Sequence, residues 1–217
     1  MKIKVGSRTS PLSRVQVAEV DREVQQFSHE VLFEPIFGKT TGDKDRATSF
    51  LTLDTTAFLT REVDALILEG KCRIGIHSAK DLPLSLPEGL VCVTLTRGED
   101  PADVLVMAKG ITIESLQEGA KVATSSLRRE ESVRKLCPQC SFVDIRGTIG
   151  ERLQWIKEGK VEGLVVAEAA LIRLGMTHLN RIRLPGETAP LQGRLAIVAR
   201  EEDEEISSLF SPLVDEA

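Results

Sequence analysis

Histidine, serine, lysine and aspartate follow one short apolar run of the chain. The segment HSAKDLPLSLPEG, residues 77–89, begins directly after the strand-like run CRIGI. Ligands of open α/β sheets bind outside the carboxyl ends of strands, so polar residues in that position are often functional. Lys80 and Asp81 would place one cation and one carboxylate at that edge of the sheet. The alternative is that Lys80 and Asp81 only solvate a turn, and the pattern by itself does not choose between the two.

Two strand-to-helix turns carry groups that favour anions. The run AKVAT leads into a predicted helix start that bears Ser125, Ser126, Arg128 and Arg129. The run FVDIRGTIGERLQWI repeats the arrangement, with Arg146 before a glycine turn at Gly147 and Arg152 entering the next helix. Helix N-termini, hydroxyls and guanidinium groups all attract anions. The alternative for each turn is a helix cap beside solvated arginines.

Strand-like and helix-like patterns alternate along the chain, which predicts an α/β fold with a mostly parallel sheet. The run SPLSRVQVAEVDREVQQF is a predicted helix that Ser10 caps and Pro11 begins. Its predicted apolar stripe comprises Leu12, Val15, Val20, Val24 and Phe27. The predicted strands are KIKVGS, VLFEPIF, CRIGI, DVLVMA, AKVAT, GRLAIVAR and the first residues of FVDIRG and of EGLVVAEAALIRLGM.

The remaining segments complete the predicted organisation. A polar stretch without periodicity, residues 38–56, predicts a loop, and AFLTREVDALILEG predicts a helix that ends at Gly70. A second half begins near TRGEDPADVLVM. The final run EEDEEISSLFSPLVDEA is a predicted short amphipathic helix that packs on the core through Ile206, Leu209, Phe210 and Leu213.

Composition excludes several classes of protein. A net charge of −5, with seven phenylalanines, one tryptophan and no tyrosine, argues against nucleic-acid binding. No apolar run approaches the roughly 20 residues that a membrane span needs. We therefore predict a cytoplasmic globular protein with no nucleic-acid and no membrane partner, and we favour a monomer.

The cysteines and histidines predict no metal site. The four cysteines, Cys72, Cys92, Cys137 and Cys140, are expected to stay reduced in the cytoplasm. The CPQC pair has metal-ligand spacing, but zinc needs four ligands and no second pair has similar spacing. We interpret it as an incidental pair in a loop, with a redox role as the alternative. The three histidines are scattered along the sequence.

These residues together predict a cleft lined by cationic side chains and containing one well-placed carboxylate. The expected ligand is a small molecule with several carboxylate or phosphate groups. The residue types alone do not specify a reaction.

A run of motifs resembles one enzyme family. VGSRTSPLSRVQ, TTGDK, HSAKDLPLSLPEGL, EDPADVLV, ATSSLRRE, DIRGTIGERL and LIRLGM, in this order and at these separations, closely resemble the porphobilinogen deaminases, also called hydroxymethylbilane synthases. The resemblance runs through essentially all 217 residues, and the ordered set is far more specific than any single motif.

The resemblance implies two periplasmic-binding-protein-like domains with a ligand cleft between them. Residues 1–95, completed by residues 190–217, would form the first domain, and residues 96–189 the second. The family joins four molecules of porphobilinogen head to tail, each losing ammonia, to give the linear tetrapyrrole hydroxymethylbilane of heme biosynthesis. Chain growth starts on a dipyrromethane cofactor, which a cysteine of a third, C-terminal domain holds as a thioether.

The resemblance also implies roles for individual residues. Asp81 matches the catalytic aspartate, which would stabilise the cationic azafulvene formed when ammonia leaves. Lys80 and the arginines would neutralise acetate and propionate groups, and the hydroxyl-bearing and remaining residues would complete the binding site. The substrate- and cofactor-binding set is Arg8, Ser10, Ser78, Lys80, Thr124, Ser125, Ser126, Arg128, Arg129, Arg146, Gly147, Arg152 and Gln192.

Departures from the family pattern accompany the matches. The chain stops where the third domain would begin, and no cysteine occupies the attachment position. Thr55, Thr56 and Ala57 replace a glycine-lysine-glycine run, and Arg194 stands where a small residue is usual. These departures argue against covalent attachment of dipyrromethane. They leave open a short deaminase with a non-covalent primer, a truncated deaminase, and a binding protein for carboxylated pyrroles or other small anions that kept the cleft without the chemistry.

Overall fold

The computed structural model describes residues 1–44 and 56–213 as two compact α/β units. The first unit contains residues 1–44, 56–99 and 191–213, and the second contains residues 100–190. Each unit is built around one five-stranded sheet.

The strands alternate with helices for most of the chain. In order, the strands are β1 (Lys2–Arg8), β2 (Leu32–Gly38), β3 (Ile74–Ser78), β4 (Leu90–Leu95), β5 (Asp103–Met107), β6 (Lys121–Ala123), β7 (Ser141–Val143), β8 (Gly163–Ala167), β9 (Arg181–Arg183) and β10 (Leu195–Arg200). The helices are α1 (Pro11–Gln25), α2 (Thr41–Lys44), α3 (Thr56–Leu68), α4 (Leu127–Arg134), α5 (Ile149–Lys157), α6 (Glu168–Arg173) and α7 (Glu204–Phe210). Short 3₁₀ turns occupy Ala79–Asp81, Ile113–Ser115 and Ser211–Leu213.

Both sheets mix parallel and antiparallel pairing. The first has the order β2-β1-β3-β10-β4, in which β1 runs parallel to β2 and β3 while β10 runs antiparallel to β3 and β4. The second has the order β7-β6-β8-β5-β9, in which β6 runs parallel to β7 and β8 while β5 runs antiparallel to β8 and β9.

The α/β class is right, and four strands of each sheet run in one direction, but β5 and β10 run against them, which the prediction of a mostly parallel sheet did not include. The strands β5 and β10 are buried almost throughout, and a continuous apolar run looks the same whichever direction the strand takes. Strands β4 and β9 were not predicted. β9 has only three residues, too few for a periodic signal.

Helix α1 begins as its sequence predicts. Ser10 is the N-cap, and its hydroxyl accepts a hydrogen bond from the Ser13 backbone N–H at 3.1 Å. The predicted apolar stripe is only partly right, because Phe27 is 39% exposed whereas Ser13 and Gln16 are buried. Ser13 and Gln16 are buried because they line a polar pocket at the first turns of the helix.

The predicted polar loop at residues 38–56 is corrected in part. Residues Thr41–Lys44 form the short helix α2. Glu62 of α3 accepts hydrogen bonds from the backbone N–H and the hydroxyl of Thr41, the first of these at 2.6 Å. The rest of the predicted loop, residues 45–55, lies outside the described residues.

The end of the chain packs on the first sheet as predicted. Ile206 and Phe210 of α7 have no exposed surface and join the core formed by β1, β3 and β10. Leu209 and Leu213 pack against the same cluster. A bidentate ion pair joins the start of α7 to the residue before β3. Arg73 donates to both carboxylate oxygens of Asp203, at 2.7 and 2.8 Å.

The expectation that all cysteines stay reduced is wrong for one pair. Cys137 and Cys140 form a disulfide with a Cα–Cα distance of 5.6 Å, within the range that such bonds require. The sequence predicts an incidental pair in a loop. In the structure, the segment between α4 and β7 turns back and brings the two cysteines together. Cys72 and Cys92 are free.

Over residues 1–44 and 56–213, no helix combines the length and the apolar character needed to cross a membrane.

Candidate functional site

Asp81 is held where a central strand ends. β3 lies between β1 and β10, and the 3₁₀ turn Ala79–Asp81 follows it directly. The backbone N–H of Ala79 donates to the Arg194 carbonyl at 3.0 Å, which fastens the turn to the residue preceding β10. His77 and Ser78 belong to the strand itself, so the predicted position of these two residues past its carboxyl end is wrong by two residues.

A small pocket brings Asp81 together with two other predicted residues. Arg8, at the end of β1, and Ser78 line it with Asp81, and its volume is about 20 Å³. Over the described residues no hydrogen bond or ion pair engages the Asp81 carboxylate. The turn therefore presents the Asp81 carboxylate to a pocket that Arg8 also lines.

The same pocket contains polar residues that the sequence analysis missed. Ser13 and Gln16 of α1, Thr60 of α3 and His77 of β3 line it. Gln16 donates through Nε2 to the Ser78 hydroxyl at 2.9 Å and thereby orients it. A signal was available in the sequence, because Ser13 and Gln16 interrupt the buried face of an otherwise amphipathic helix.

Lys80 and Gln192 meet across the first unit. The Lys80 ammonium donates to Oε1 of Gln192 at 3.1 Å, and Gln192 is only 4% exposed. The backbone around Gln192 is tightly determined: Leu191 has φ +58°, and Gly193 has φ +92°. A Cβ at residue 193 would lie 2.2 Å from the Glu99 carbonyl oxygen, so only glycine fits there.

Ser10 has a structural role in this structure. Its hydroxyl caps α1 and also contacts the Ser13 hydroxyl at 2.8 Å. Both interactions engage Ser13, which lines the pocket. Ser10 therefore influences the pocket by holding Ser13 in place.

In the second unit, hydroxyl groups cluster where β6 ends and α4 begins. Ser125 donates to the Ile145 carbonyl at 2.7 Å, accepts from the Ile145 N–H at 3.1 Å and hydrogen-bonds to Asp144, so it joins β6 to the segment after β7. Ser126 is the N-cap of α4 but makes no capping bond with its side chain. Thr124 is 2% exposed, and its hydroxyl has no partner among the described residues. A buried hydroxyl without a partner is costly, which favours a ligand or water at this position.

The paired arginines of α4 converge on one buried carboxylate. Arg128 Nη2 lies 2.7 Å from Oδ2 of Asp103, and Arg129 donates to Oδ1 at 2.7 and 3.0 Å. Asp103 is 2% exposed. Arg128 also donates to the Glu187 carbonyl at 2.6 Å. The alternative of two solvated arginines is therefore wrong: the first residue of β5 holds both side chains.

The second predicted anion turn is also ordered. Gly147 has φ +108°, and the Arg152 side chain donates to its carbonyl at 2.7 Å. Thr148 caps α5 and exchanges hydrogen bonds with Glu151 in a capping box. Arg146 is half-buried just before this turn. The turn thus brings Arg146, Gly147 and Arg152 together as predicted.

The comparisons with known proteins agree with the motifs. The family model described as "Porphobilinogen deaminase, dipyromethane cofactor binding domain" matches residues 3–208. A probable porphobilinogen deaminase of Chlamydia pneumoniae is 37% identical over 97% of this chain and 89% of that protein. The porphobilinogen deaminase of Prochlorococcus marinus is 36% identical over 100% of this chain and 71% of that protein. The chain belongs to the porphobilinogen deaminase family.

Solved structures similar to this porphobilinogen deaminase family member support the predicted fold class. The periplasmic VFT2 domain of Bordetella pertussis BvgS aligns with a TM-score of 0.54 and 12% identity over 96% of this chain and 85% of that chain. A TRAP periplasmic solute binding protein of Desulfovibrio salexigens aligns with a TM-score of 0.55 and 12% identity over 99% of this chain and 72% of that chain. At this identity the likeness concerns the fold alone, and it confirms two periplasmic-binding-protein-like α/β units.

Membership in the porphobilinogen deaminase family confirms the predicted enzyme type and the predicted cofactor. The chain is an enzyme of the hydroxymethylbilane synthase type, a transferase of tetrapyrrole biosynthesis. The matched model is the domain that binds dipyrromethane, as predicted. The alternative of a binding protein without chemistry is not favoured. The roles of individual site residues remain predictions.

The donor set fits a polycarboxylate such as dipyrromethane. Arg146, Arg152 and the hydroxyls of Thr124 and Ser126 are all groups that bind carboxylates. Among the described residues, the Thr124 hydroxyl has no partner and the Ser126 side chain makes no capping bond. The described cysteines suit a thioether poorly. Burial raises the pKa of the Cys72 and Cys92 thiols, which lowers their thiolate fraction, and the other two form a disulfide.

Proposed function

We propose that this protein joins porphobilinogen molecules head to tail into hydroxymethylbilane, with Asp81 as the catalytic carboxylate. The observation that carries the proposal is the place of Asp81, rigidly held at the end of a central strand, beside Arg8, in a polar pocket. A carboxylate preorganised in this way can stabilise positive charge without reorganising during the reaction.

The reaction makes specific demands on Asp81. The C–N bond of the protonated aminomethyl group breaks, its electron pair leaves with ammonia, and the positive charge passes to the pyrrole. The α-carbon of a second pyrrole then supplies the electron pair for the new C–C bond, and that carbon loses its proton. A carboxylate beside the pyrrole stabilises the cation in the first step and can accept the proton in the last.

The arginine turns of the second unit would hold the acidic side chains of the pyrroles. Arg146 precedes the turn before α5, Arg152 lies in the first turn of α5, and Arg128 lies at the start of α4. We assign acetate and propionate binding to these three arginines, and Asp103 neutralises part of the charge of Arg128. In the first unit, Lys80 has the same function while Gln192 orients its ammonium.

Dipyrromethane would supply the free pyrrole α-carbon on which chain growth starts. We propose that this chain binds it through carboxylate contacts with Thr124, Ser126, Arg146 and Arg152 rather than through a thioether to a described cysteine. Intact mass measured on denatured protein, after reduction, should then show no pyrrole adduct on Cys72, Cys92, Cys137 or Cys140. An adduct mapped to any of these four positions would contradict non-covalent binding.

We also propose that the protein acts as a cytoplasmic monomer, because every residue assigned to the reaction belongs to one chain. Light scattering after size exclusion should give a mass near 23.8 kDa. A stable dimer would contradict this assignment, and cell fractionation tests the location.

Substitution of Asp81 tests the proposed chemistry. Asp81→Asn should abolish release of ammonia from porphobilinogen and formation of tetrapyrrole, because the amide cannot carry the stabilising charge. Its melting temperature should match wild type, since no contact of the described residues depends on the carboxylate. Glu88→Gln, in the exposed loop after the same turn, is the matched control and should retain full turnover. Undiminished turnover in Asp81→Asn would overturn the assignment.

A further inference from the structure

A buried acid–base pair lies behind the catalytic pocket. Nε2 of His77, on β3, is 3.3 Å from Oδ1 of Asp64, on α3. Their side chains are only 3% and 2% exposed. Nothing in the reaction described so far uses either residue.

Among the described residues, the facing atoms of His77 and Asp64 have no other polar partner. Within the described parts of the chain, neither carboxylate oxygen of Asp64 nor Nε2 of His77 makes a well-aligned hydrogen bond to any other group. A buried carboxylate is costly unless a hydrogen-bond donor faces it, so the geometry places the proton of a neutral His77 ring on Nε2, directed at Asp64. Nδ1 of that ring then has no proton.

The central strand is built to hold the imidazole. Gly75 lies two residues before His77 on the same face of β3, and a Cβ there would come within 3.1 Å of His77 Nε2. It would also come within 3.0 Å of both Val63 and Ile67 of α3. The absence of a side chain at residue 75 therefore creates the slot in which His77 reaches α3.

The pocket connects this pair with Asp81. His77, Asp81 and Thr60 all line it, and its volume of about 20 Å³ is sufficient for one water molecule. The Thr60 hydroxyl is buried without a partner among the described residues and so provides a polar contact for that water. Because Nε2 of His77 faces Asp64, Nδ1 is the ring nitrogen available to the pocket.

We propose that His77 and Asp64 are positioning residues that restore the Asp81 carboxylate between condensation steps, through a water in this pocket. The inference rests on the proposed function. When Asp81 accepts the proton lost by the pyrrole α-carbon, it becomes neutral and cannot stabilise the next cation. Transfer of that proton through the water to Nδ1 of His77 returns Asp81 to its ionised form, and Asp64 stabilises the resulting imidazolium. The proton then passes to ammonia or to solvent.

The charges that face the pair are compatible with this transfer. Arg8 on β1 and Asp81 in the turn after β3 are the charged groups of the pocket besides His77. Helix α1 contributes the neutral Ser13 and Gln16, and β10 places Ala196 opposite His77. Among the residues that line the pocket, Arg8 and Asp81 carry opposite charges, and the residues of α1 and β10 add none.

Turnover and its pH dependence test the inference in the full-length protein with porphobilinogen. His77→Gln and Asp64→Asn should each lower kcat at least tenfold while KM changes less than twofold, and each should remove an ionisation from the pH profile of kcat. His29→Gln, at an exposed position of the first unit, is the matched control and should retain the wild-type profile. Wild-type kcat and pH profile in both pocket variants would overturn the inference, as would a fall in activity with an unchanged pH profile.

Nitrogen NMR of the wild-type protein tests it without a variant. The neutral imidazole of His77 should carry its proton on Nε2, facing Asp64, with Nδ1 unprotonated. A neutral ring protonated on Nδ1 would overturn the inference, because that nitrogen could not then accept a proton. Failure of the proposed function has a different signature: wild-type protein would release no ammonia at any pH, whatever the state of His77.

Discussion

Oδ1 of Asp103 lies 2.7 Å from Nη2 of Arg129, in the interior of the second unit. Oδ2 of the same carboxylate lies 2.7 Å from Arg128, so one buried aspartate at the start of β5 holds both arginines at the start of α4. The arrangement turns two flexible side chains into fixed cations. It also means that their binding capacity and the stability of the unit depend on the same carboxylate.

Asp103→Asn should destabilise the protein by about 3 kcal/mol, because removing one member of a buried ion pair leaves its partners uncompensated. The free energy of unfolding in urea at pH 7 measures the effect. Glu158→Gln is the matched control, since it removes the carboxylate from an exposed pair with Lys160, and it should leave that free energy unchanged. Equal effects from the two substitutions would contradict the role of Asp103.

Arg146→Ala should weaken the binding of carboxylated pyrroles by about 1.5–3 kcal/mol, the contribution of one hydrogen bond to a charged group. Calorimetric titration with porphobilinogen measures this loss. Arg134→Ala is the matched control: it removes a cation from the C-terminal end of α4, where the guanidinium carbon lies 4.5 Å from the centroid of the Phe142 ring, and should leave affinity unchanged. Unaltered affinity in Arg146→Ala would place the carboxylate site elsewhere.

Gly193→Ala should destabilise the protein by about 2–5 kcal/mol, because the new Cβ combines a strained φ with a backbone clash. Thermal unfolding measures the loss. Gly110→Ala is a matched control with φ +82° and open space around the Cβ, so it should cost only about 1–2 kcal/mol. The prediction fails if the two variants melt at the same temperature.

Asp203 should make stability depend on pH in the acid range. The Arg73 hydrogen bonds lower the pKa of the Asp203 carboxyl, and its bond from the Ile206 N–H acts in the same direction. A lowered pKa means that the contribution is present above the unfolded value of about 3.9 and is lost as pH falls through the folded value.

Asp203→Asn should therefore cost about 1–3 kcal/mol at pH 7 and progressively less below about pH 4. Urea unfolding of wild type and variant at several pH values gives the difference. Glu34→Gln, from an exposed pair with Lys2, is the control and should show no comparable change. A difference between wild type and Asp203→Asn that is constant over this pH range would contradict the assignment.

The disulfide predicts a specific labelling pattern. Denatured protein alkylated without reductant should carry labels on Cys72 and Cys92 only, and reduction should expose Cys137 and Cys140. Reduction should also lower the free energy of unfolding by about 2 kcal/mol, as the chain-entropy relation gives for so short a loop. Labelling of all four cysteines without reductant would show that the pair is not bonded.

Much of the site could be predicted from particular residues. Ser10 and Pro11 mark the start of α1, and Gly70 marks the end of the helix before β3. Asp81 follows β3 closely, Arg146 lies just before the turn that precedes α5, and Arg152 lies in the first turn of that helix. Each of these features depends on caps, glycines and periodicity within a few residues, which is information the local sequence contains.

The remaining relationships depend on tertiary structure. The contact between Arg129 and Asp103 joins residues 26 apart, and that between Lys80 and Gln192 joins residues 112 apart. No local pattern indicates that Asp64 lies against His77, or that β5 and β10 run antiparallel to their neighbours. The amino-acid sequence by itself determined the α/β class, the N-cap of α1 and the family. Only the packed sheets decided which charges meet, because burial and distance arise when strands that are remote in sequence become neighbours.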